Sequence, residues 1–374
     1  MKIRILAALI ILSIIHLPDA LACTSIRITT SDGYVFYART MEGDQTYDAS
    51  ISIVPAGVTY SGTLPDKSQK GLNWTSKYGF TGVNNGGIPV VTDGINEKGL
   101  TVGMLMFPGY AGYQEFDPKQ AHNTIAQFEF ATWALSNFAT VEEVKTAVKK
   151  IRVSNCDKVG ALKLHYTIHD ASGKSIVIEY VHGKLKVYNN LLGVMTNSPT
   201  FDWHLTNLKN YINLSAVNAA SLSLDGVIGS GLGQGTGMLG LPGDYTPPSR
   251  FVRMIALTQS ALPVKGPEAG LNLAMTIIND CEIPYGVVRD LTVKPPEYDH
   301  TVWTVAADVK QLRYYYHTYE NKVWNYIDLK QALANAKQVM SIPLFTKPLY
   351  NNSTGEAKNY TNPDSKFYMY QDRQ

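Results

Sequence analysis

In residues 23–43, CTSIRITTSDGYVFYARTMEG, an alternating polar and apolar run over 23–29 precedes the turn sequence TSDG, and an aromatic and β-branched run over 34–38 follows it. This pattern predicts a β-hairpin. A two-residue loop would place Cys23 opposite residue 42, and a three-residue loop would shift the pairing by one position. In either register the end of the second strand, from Arg39 to Glu42, returns to Cys23, so we expect a cation and a carboxylate beside a thiol.

A short apolar block precedes this hairpin. Residues 5–17 are apolar except for one serine and one histidine, two basic residues lie before them, and Ala20-Leu21-Ala22 follows. These three features predict a secretory signal peptide over residues 1–22 that is cleaved after Ala22. The block is shorter than the ~20 residues of a membrane-spanning helix, so we expect no stable membrane span. The mature chain is therefore predicted to be secreted or periplasmic.

Cleavage after Ala22 would make Cys23 the first residue of the mature chain. A free thiol has a pKa near 8.5 and is mostly protonated at neutral pH, whereas an α-amine near 7.7 to 8.0 can accept a proton and return it. One residue would then supply both a nucleophile and its base, as in enzymes whose nucleophilic threonine is activated by its own amine. A nearby guanidinium would favour the thiolate, and a carboxylate could hold the α-ammonium group.

A cysteine at a signal-peptide junction has two other interpretations. It can be a buried small apolar residue, or it can be the acylated residue of a lipoprotein. Its position at the junction argues against the first. Against the second, lipoprotein sites carry a bulky aliphatic residue three positions before the cysteine, where this chain has Ala20. The alternative hypothesis is a lipid-anchored, non-catalytic binding protein in which Cys23 is acylated.

Length and composition are those of an ordinary globular protein. Removal of 22 residues from 374 leaves 352, with 45% hydrophobic and 17% charged residues in the whole chain, and we expect one domain over residues 23–350 followed by a polar tail, 351–374. The near-neutral charge and the absence of basic runs argue against nucleic-acid binding. No metal-ligand motif occurs, so no metal is expected. Three cysteines permit one disulfide, Cys156 to Cys281.

Strand and helix patterns occur in blocks along the rest of the chain. Two strand-rich parts, each associated with a pair of helices, favour an α+β fold in which two sheets pack face to face with helices outside. The predicted strands are 87–92, 100–107, 164–169, 175–181, 185–188, 194–196, 301–306 and 311–317, with a turn at 93–99 and a Gly-rich loop at 226–243. Five helices are predicted. The apolar face of the first carries Ile125, Phe128, Thr132, Leu135 and Phe138, the second runs from Thr140 to about Lys150, and the others cover 201–211, 249–262 and 267–280.

Six motifs resemble the choloylglycine hydrolase and penicillin V acylase family of N-terminal nucleophile hydrolases. They are CTSIRI at Cys23, ARTMEG at Ala38, NEKGL at Asn96, FPGYA at Phe107, TNSPTFDWH at Thr196 and PPSRFVR at Pro247, and they occur in the family's order. The resemblance implies a four-layer αββα sandwich of two mostly antiparallel sheets and cofactor-free hydrolysis of linear amide C–N bonds. It also implies an N-acyl amide substrate and, commonly, a homotetramer.

The same resemblance implies roles for individual residues. Cys23 corresponds to the nucleophile with Arg39 near its thiol, Asn197 to an oxyanion donor, and Arg250 to the second arginine of the family's pattern. The family has an aspartate three positions after the first arginine, where this chain has Glu42, whose side chain is one methylene longer.

The second oxyanion position and the pocket fall on methionines. Bile salt hydrolases have an asparagine where this chain has Met106, so we expect the Met106 backbone N–H to serve there. Met41 and Met104 are predicted to line an adaptable substrate pocket, for which conjugated bile salts, penicillin V and N-acyl homoserine lactones are the candidate ligands.

Overall fold

The structure is a computed structural model, which describes residues 22–43, 48–66, 70–85, 90–156 and 162–356. The predicted signal peptide, apart from Ala22, lies outside the described residues, as does most of the predicted polar tail, from residue 357.

The strands and helices follow in chain order. The strands are β1 (Cys23–Thr29), β2 (Val35–Gly43), β3 (Ala49–Val54), β4 (Thr59–Ser61), β5 (Asn73–Thr75), β6 (Phe80–Asn85), β7 (Asp93–Asn96), β8 (Thr101–Met106), β9 (Thr124–Ala126), β10 (Arg152–Ser154), β11 (Leu164–His169), β12 (Ser175–Val181), β13 (Lys184–Asn189), β14 (Leu222–Leu224), β15 (Val227–Gly229), β16 (Val288–Asp290), β17 (Glu297–Asp308), β18 (Arg313–Thr318), β19 (Asn325–Asp328) and β20 (Met340–Pro343). The α-helices are α1 (Phe130–Asn137), α2 (Val141–Ala147), α3 (Phe201–Leu208), α4 (Pro247–Ser260), α5 (Pro267–Asn279) and α6 (Leu329–Asn335).

The first two strands form the predicted hairpin, with Cys23 paired to Met41. Its loop has three residues, 31–33. The Thr30 N–H donates to the Tyr34 carbonyl at 2.9 Å, and Gly33 has a φ of +82°. Glycine adopts this left-handed conformation without steric cost, which lets so tight a loop join two twisted strands. The register is therefore that of a three-residue loop, one position from the two-residue alternative.

Two large antiparallel sheets form the centre of the molecule. The first has the order β1-β2-β17-β18-β19, with β16 also paired to β17, and the second has the order β13-β12-β11-β8-β7-β6-β3-β20. Helices α4 and α5 pack on β1 and β2, whereas α1 and α2 pack on the second sheet. The layers therefore run helix, sheet, sheet, helix, and the predicted αββα sandwich is confirmed.

The alternation of side chains along β1 and β2 decides which groups reach the space between the sheets. Cys23, Arg39 and Met41 lie on the face that contacts the second sheet, where Arg39 reaches Met104 of β8 and Asp93 of β7. Residues at the intervening positions point to the helical layer that contains α4. The first residue of an edge strand is thus held between two sheets.

Several predicted boundaries are wrong because long-range contacts override the local pattern. Residues 124–126 were expected in a helix, but they form β9, which pairs in parallel with β10, and α1 begins only at Phe130. The predicted turn at 93–99 begins with strand β7. Of the predicted strand 87–92, residues 87–89 lie outside the described part and Val91 makes only an isolated bridge. The predicted strand 194–196 is also only a bridge, between Met195 and Ser25.

The possible Cys156 to Cys281 disulfide is excluded by the layer order. Both residues are buried free thiols. Cys156 belongs to the apolar core beside α1, and Cys281 belongs to the core beside α4 and α5. Because the two sheets lie between these positions, no disulfide can join them.

Candidate active site

The Cys23 thiol is enclosed by the groups that share its face of the first sheet. Cys23 is 1% exposed, its Sγ lies 3.3 Å from Arg39 Nη2, and its thiol donates to the Met41 thioether at 3.6 Å. The same Arg39 nitrogen donates to the Met104 carbonyl at 2.7 Å. The buried sulfur therefore has the Arg39 guanidinium as its charged neighbour.

Arg39 is itself held by a buried carboxylate. Its Nη1 lies 2.5 Å from Asp93 Oδ2, and the other oxygen of Asp93 accepts from the Tyr314 hydroxyl. Burial alone would lower the pKa of Arg39, but the neighbouring Cys23 and Asp93 outweigh burial and raise it, so the guanidinium remains a cation. The pair joins β2 of one sheet to β7 of the other and fixes the cation beside the thiol.

The backbone of Cys23 is held at both of its polar atoms. The Cys23 nitrogen donates to Asn197 Oδ1 at 2.7 Å, and the Cys23 carbonyl accepts from Arg250 Nη1 at 2.6 Å. Arg250 Nη2 also donates to Asn197 Oδ1, at 2.7 Å, which closes a ring of hydrogen bonds around the Cys23 backbone. The nitrogen that would become the α-amine thus has a fixed acceptor.

These contacts determine how the Asn197 amide is turned. Its Oδ1 accepts two hydrogen bonds, so its Nδ2 must face the other way, and it donates to the Met106 carbonyl at 2.9 Å. One Nδ2 hydrogen is used in that bond, and the second is available to a developing oxyanion. A strand residue turns its N–H and C=O to the same side, so the Met106 N–H shares the strand edge that faces Asn197. The oxyanion roles of both residues remain predictions.

Glu42 occupies a different position from the other predicted site residues. Its side chain points to the helical layer, where Oε1 accepts from the Thr301 hydroxyl at 3.2 Å, and its backbone N–H donates to the Ala22 carbonyl at 3.0 Å. Burial raises the pKa of Glu42 to about 7, although Arg250 opposes this shift. While Ala22 is present, Asn197 rather than Glu42 binds the Cys23 nitrogen. An α-ammonium group formed nearby by cleavage would favour the ionised carboxylate.

The thiol opens into a small cavity of about 80 Å³. Its polar lining consists of Cys23, Arg39, Asn85 and Thr92. Its apolar lining consists of three methionines and two leucines: Met41, Met104, Met106, Leu162 and Leu164. Unbranched thioether side chains adapt to irregular apolar ligands. The structure therefore places all three predicted methionines around the thiol.

Asp93 and Tyr314 were missed from the sequence as site residues. Asp93 was assigned to a turn, and Tyr314 was only one residue of the predicted strand 311–317, yet both are buried at the contact between the sheets. Had the strand at 93–96 been recognised, an acidic residue within a fully buried strand would have indicated a paired charge.

The described residues contain no group of three or more acidic, histidine or cysteine side chains arranged to hold a metal ion. Within the same residues, no helix has both the length and the apolar character needed to cross a membrane.

An αββα sandwich that begins with a cysteine, beside a guanidinium and an amide, defines the class of N-terminal nucleophile hydrolases. Within that class, the chain belongs to the linear amide C–N hydrolases of the choloylglycine hydrolase family, whose model matches residues 23–341. It is therefore a cysteine amidohydrolase that acts on linear amide C–N bonds.

Bile salt hydrolases and a penicillin V acylase are among the proteins similar to this chain. A bile salt hydrolase/transferase of Clostridium perfringens is 35% identical over 322 residues, covering 85% of this chain and 95% of the relative. A penicillin V acylase of Pectobacterium atrosepticum is 28% identical over 362 residues, with 89% and 88% covered. Among solved structures, a mutant conjugated bile acid hydrolase of C. perfringens superposes with a TM-score of 0.78 at 32% identity, covering 88% of this chain and 99% of that one.

Replacement of Asn197 by alanine tests its predicted role. We expect Asn197→Ala to lower kcat by about 10² to 10³-fold with little change in KM, because the amide N–H is needed only as the carbonyl oxygen gains charge. The thiol should still react with iodoacetamide. A purely structural asparagine would instead lower the melting temperature and leave kcat per folded molecule nearly unchanged, so kcat and Tm are measured on the same variant.

Proposed function

We propose that the mature chain is an exported hydrolase that cleaves the amide bond of N-acylated small molecules, with the Cys23 thiol as nucleophile and its own α-amine as base. The observation that carries this proposal is the environment of one residue. The Cys23 sulfur lies 3.3 Å from a guanidinium and its nitrogen lies 2.7 Å from an amide oxygen. Hydrolysis of the acyl-enzyme by water would complete the cycle.

A cavity lined by Cys23 and a cleft lined by Ala22 suggest how such a substrate would lie. The thiol opens into the methionine-lined cavity, which suits the acyl group that becomes bonded to sulfur. Ala22 instead lines a separate cleft of about 330 Å³, together with Pro108, Asn197 and Tyr245. The α-amine would return its proton to the departing nitrogen, so the leaving amine is best placed on the side that Ala22 occupies.

The apolar acyl cavity keeps three substrate classes open. Conjugated bile salts, penicillin V and N-acyl homoserine lactones each have an apolar acyl group on an amide nitrogen, and the flexible thioethers of Met41 and Met104 can adapt to different shapes. A hydrolysis panel with one member of each class tests the proposal. It predicts that at least one is cleaved at its side-chain amide with release of the free amine. The proposal fails if none is cleaved.

Export follows from the N-terminal pattern. A basic start, an apolar block and an A-x-A sequence before Cys23 support cleavage after Ala22 and a periplasmic or secreted mature chain. Fractionation of cells that express the full chain, followed by N-terminal sequencing, tests this step. A full-length chain that stays in the cytoplasm would contradict it.

The environment of Cys23 argues against the lipid-anchored alternative. Cys23 is 1% exposed, and its side chain is buried against Arg39 and Met41. Acylation of this sulfur would require the site to open. The intact mass of the mature chain distinguishes a free thiol from a diacylglyceryl adduct.

We also propose a homotetramer, as the family resemblance implies. The hairpin formed by β14 and β15 supports an assembly, because its large apolar side chains face solvent. Leu222, Leu224 and Val227 are each more than half exposed. Light scattering of the mature chain should give four times the chain mass, and a monomer would contradict the proposal.

A further inference from the structure

The segment from Thr196 to Phe201, which carries Asn197, is fixed by buried side chains that have no assigned role in the reaction. Each of the two peptide carbonyls that flank the Asn197 side chain, those of Thr196 and Asn197, accepts a hydrogen bond from a different buried histidine. The same segment is fixed further along by the Phe201 N–H, which donates to Glu179 Oε1 at 2.9 Å.

His165 holds the first carbonyl. Its Nε2 lies 3.0 Å from the Thr196 oxygen, and because a carbonyl can only accept, Nε2 must carry the hydrogen. Its Nδ1 lies 3.3 Å from Glu179 Oε1, and Phe107 stacks on the ring at a centroid distance of 4.2 Å. The stacked Phe107 ring holds the plane of the imidazole in the orientation that donates to Thr196.

His204 holds the second carbonyl from helix α3. Its Nε2 donates to the Asn197 oxygen at 2.9 Å, and Phe251 stacks on its ring with centroids 4.8 Å apart. Burial lowers the pKa of His204 to about 4, although the bond to Asn197 opposes the shift. At neutral pH the ring is therefore uncharged, with its single hydrogen on the nitrogen that faces the backbone.

We propose that His165 and His204 are positioning residues that fix the place from which the Asn197 side chain leaves the backbone, through the two carbonyls beside it. Those carbonyls set the peptide planes on both sides of the Asn197 α-carbon, and hence the direction in which its side chain leaves the backbone. Asn197 has to face the Cys23 nitrogen with its oxygen and the reacting carbonyl with its N–H. A displacement of about 1 Å in such a group can cost about 10²-fold in rate.

The test compares two amides that differ only in reach. In His204→Gln the side-chain nitrogen can lie near the position of Nε2 and still donate to the Asn197 carbonyl. In His204→Asn it ends near the position of Nδ1 and cannot. We expect His204→Asn to lower kcat by about 10 to 10²-fold with KM nearly unchanged, and His204→Gln to recover most of that loss.

His169 provides the matched control. It is a buried histidine on β11, the strand that also carries His165, and its Nε2 pairs with the Thr167 hydroxyl rather than with the Asn197 segment. The variants His169→Gln and His169→Asn should lower the melting temperature without changing kcat per reactive thiol. Active sites are counted by iodoacetamide titration of Cys23, so loss of folded protein is not mistaken for loss of rate.

The outcomes separate positioning from stability. The inference is overturned if His204→Asn and His204→Gln have equal kcat, or if the His204 and His169 variants lose kcat in parallel. If His204→Asn fails to fold, the same comparison is made at the Thr196 carbonyl with two variants of His165. His165→Gln can still donate a hydrogen bond to that carbonyl, whereas His165→Met cannot. The inference rests on the role proposed for Asn197, so Asn197→Ala is measured in parallel. An active Asn197→Ala would overturn that role itself.

The readout does not depend on which natural amide is the substrate. We propose to use p-nitrophenyl phenylacetate, an activated ester whose hydrolysis needs the thiol and the oxyanion donor. Failure of every amide in the panel would then count against the proposed substrates, whereas equal ester turnover by His204→Gln and His204→Asn would count against the positioning role.

Discussion

Replacement of Cys23 by serine should lower kcat by at least about 10³-fold while leaving the fold intact. A hydroxyl has no accessible anionic form near neutral pH, even beside the cation of Arg39. The two side chains are nearly the same size, so the buried site should repack without a cavity. Steady-state kinetics on the amide that the wild type cleaves fastest, together with thermal melting, measure both parts of the expectation.

Cys156→Ser is the matched control for this variant. It makes the same change at another buried free thiol, which lies in the core beside α1 and does not line the Cys23 cavity. It should lose some stability but keep its kcat. If Cys23→Ser retained wild-type kcat, or if the two variants lost activity equally, Cys23 would not be the nucleophile.

Retention of a single residue before Cys23 should also abolish most activity. In a chain that begins at Ala22, the Cys23 nitrogen is an amide, which donates to Asn197 Oδ1 at 2.7 Å but cannot accept the thiol proton. Loss of a general base typically costs about 10² to 10⁴-fold in rate. The structure contains Ala22 in place with all of the surrounding contacts formed, so folding should be unaffected.

The comparison for this prediction is a chain that begins at Cys23. The two chains differ by one alanine, and both should melt at similar temperatures and present the same buried thiol. Cleavage of Ala22 during the assay is excluded by mass measurement. Equal activity of the two chains would mean that another group is the base.

The parts of the site that lie close together in sequence were predictable. The turn sequence before Tyr34 predicts a hairpin that brings Arg39 back towards Cys23, but it leaves the register open by one residue. Only the three-residue loop found in the structure puts Arg39 on the same face as Cys23, with its Nη2 3.3 Å from the sulfur. Asn197 and Arg250 entered through motifs that resemble a known family, not through geometry. Nothing in the local pattern shows that both contact the Cys23 backbone.

The missed features depend on contacts between distant segments. Residues 124–126 have a helical apolar pattern, but pairing with β10 makes them a strand. Asp93 was assigned to a turn because glycine and asparagine follow it, although its partners Arg39 and Tyr314 come from the other sheet. Glu42 lies near Cys23 in the hairpin, yet strand alternation turns its side chain to the opposite face.

The most direct test of the central claim is the mass of the N-terminal tryptic peptide during turnover. Acid quenching of the mature enzyme with a substrate amide, followed by trypsin, should yield a peptide of residues 23–27 that begins at Cys23 and carries the added mass of the substrate's acyl group. At the pH of digestion an acyl group on the sulfur of an N-terminal cysteine moves to the α-amine of the same residue, so its mass stays on this peptide. Without substrate, the same peptide should have a free thiol and a free α-amine. A peptide that begins before Cys23 in active enzyme, or an acyl group found on any other residue, would contradict the account.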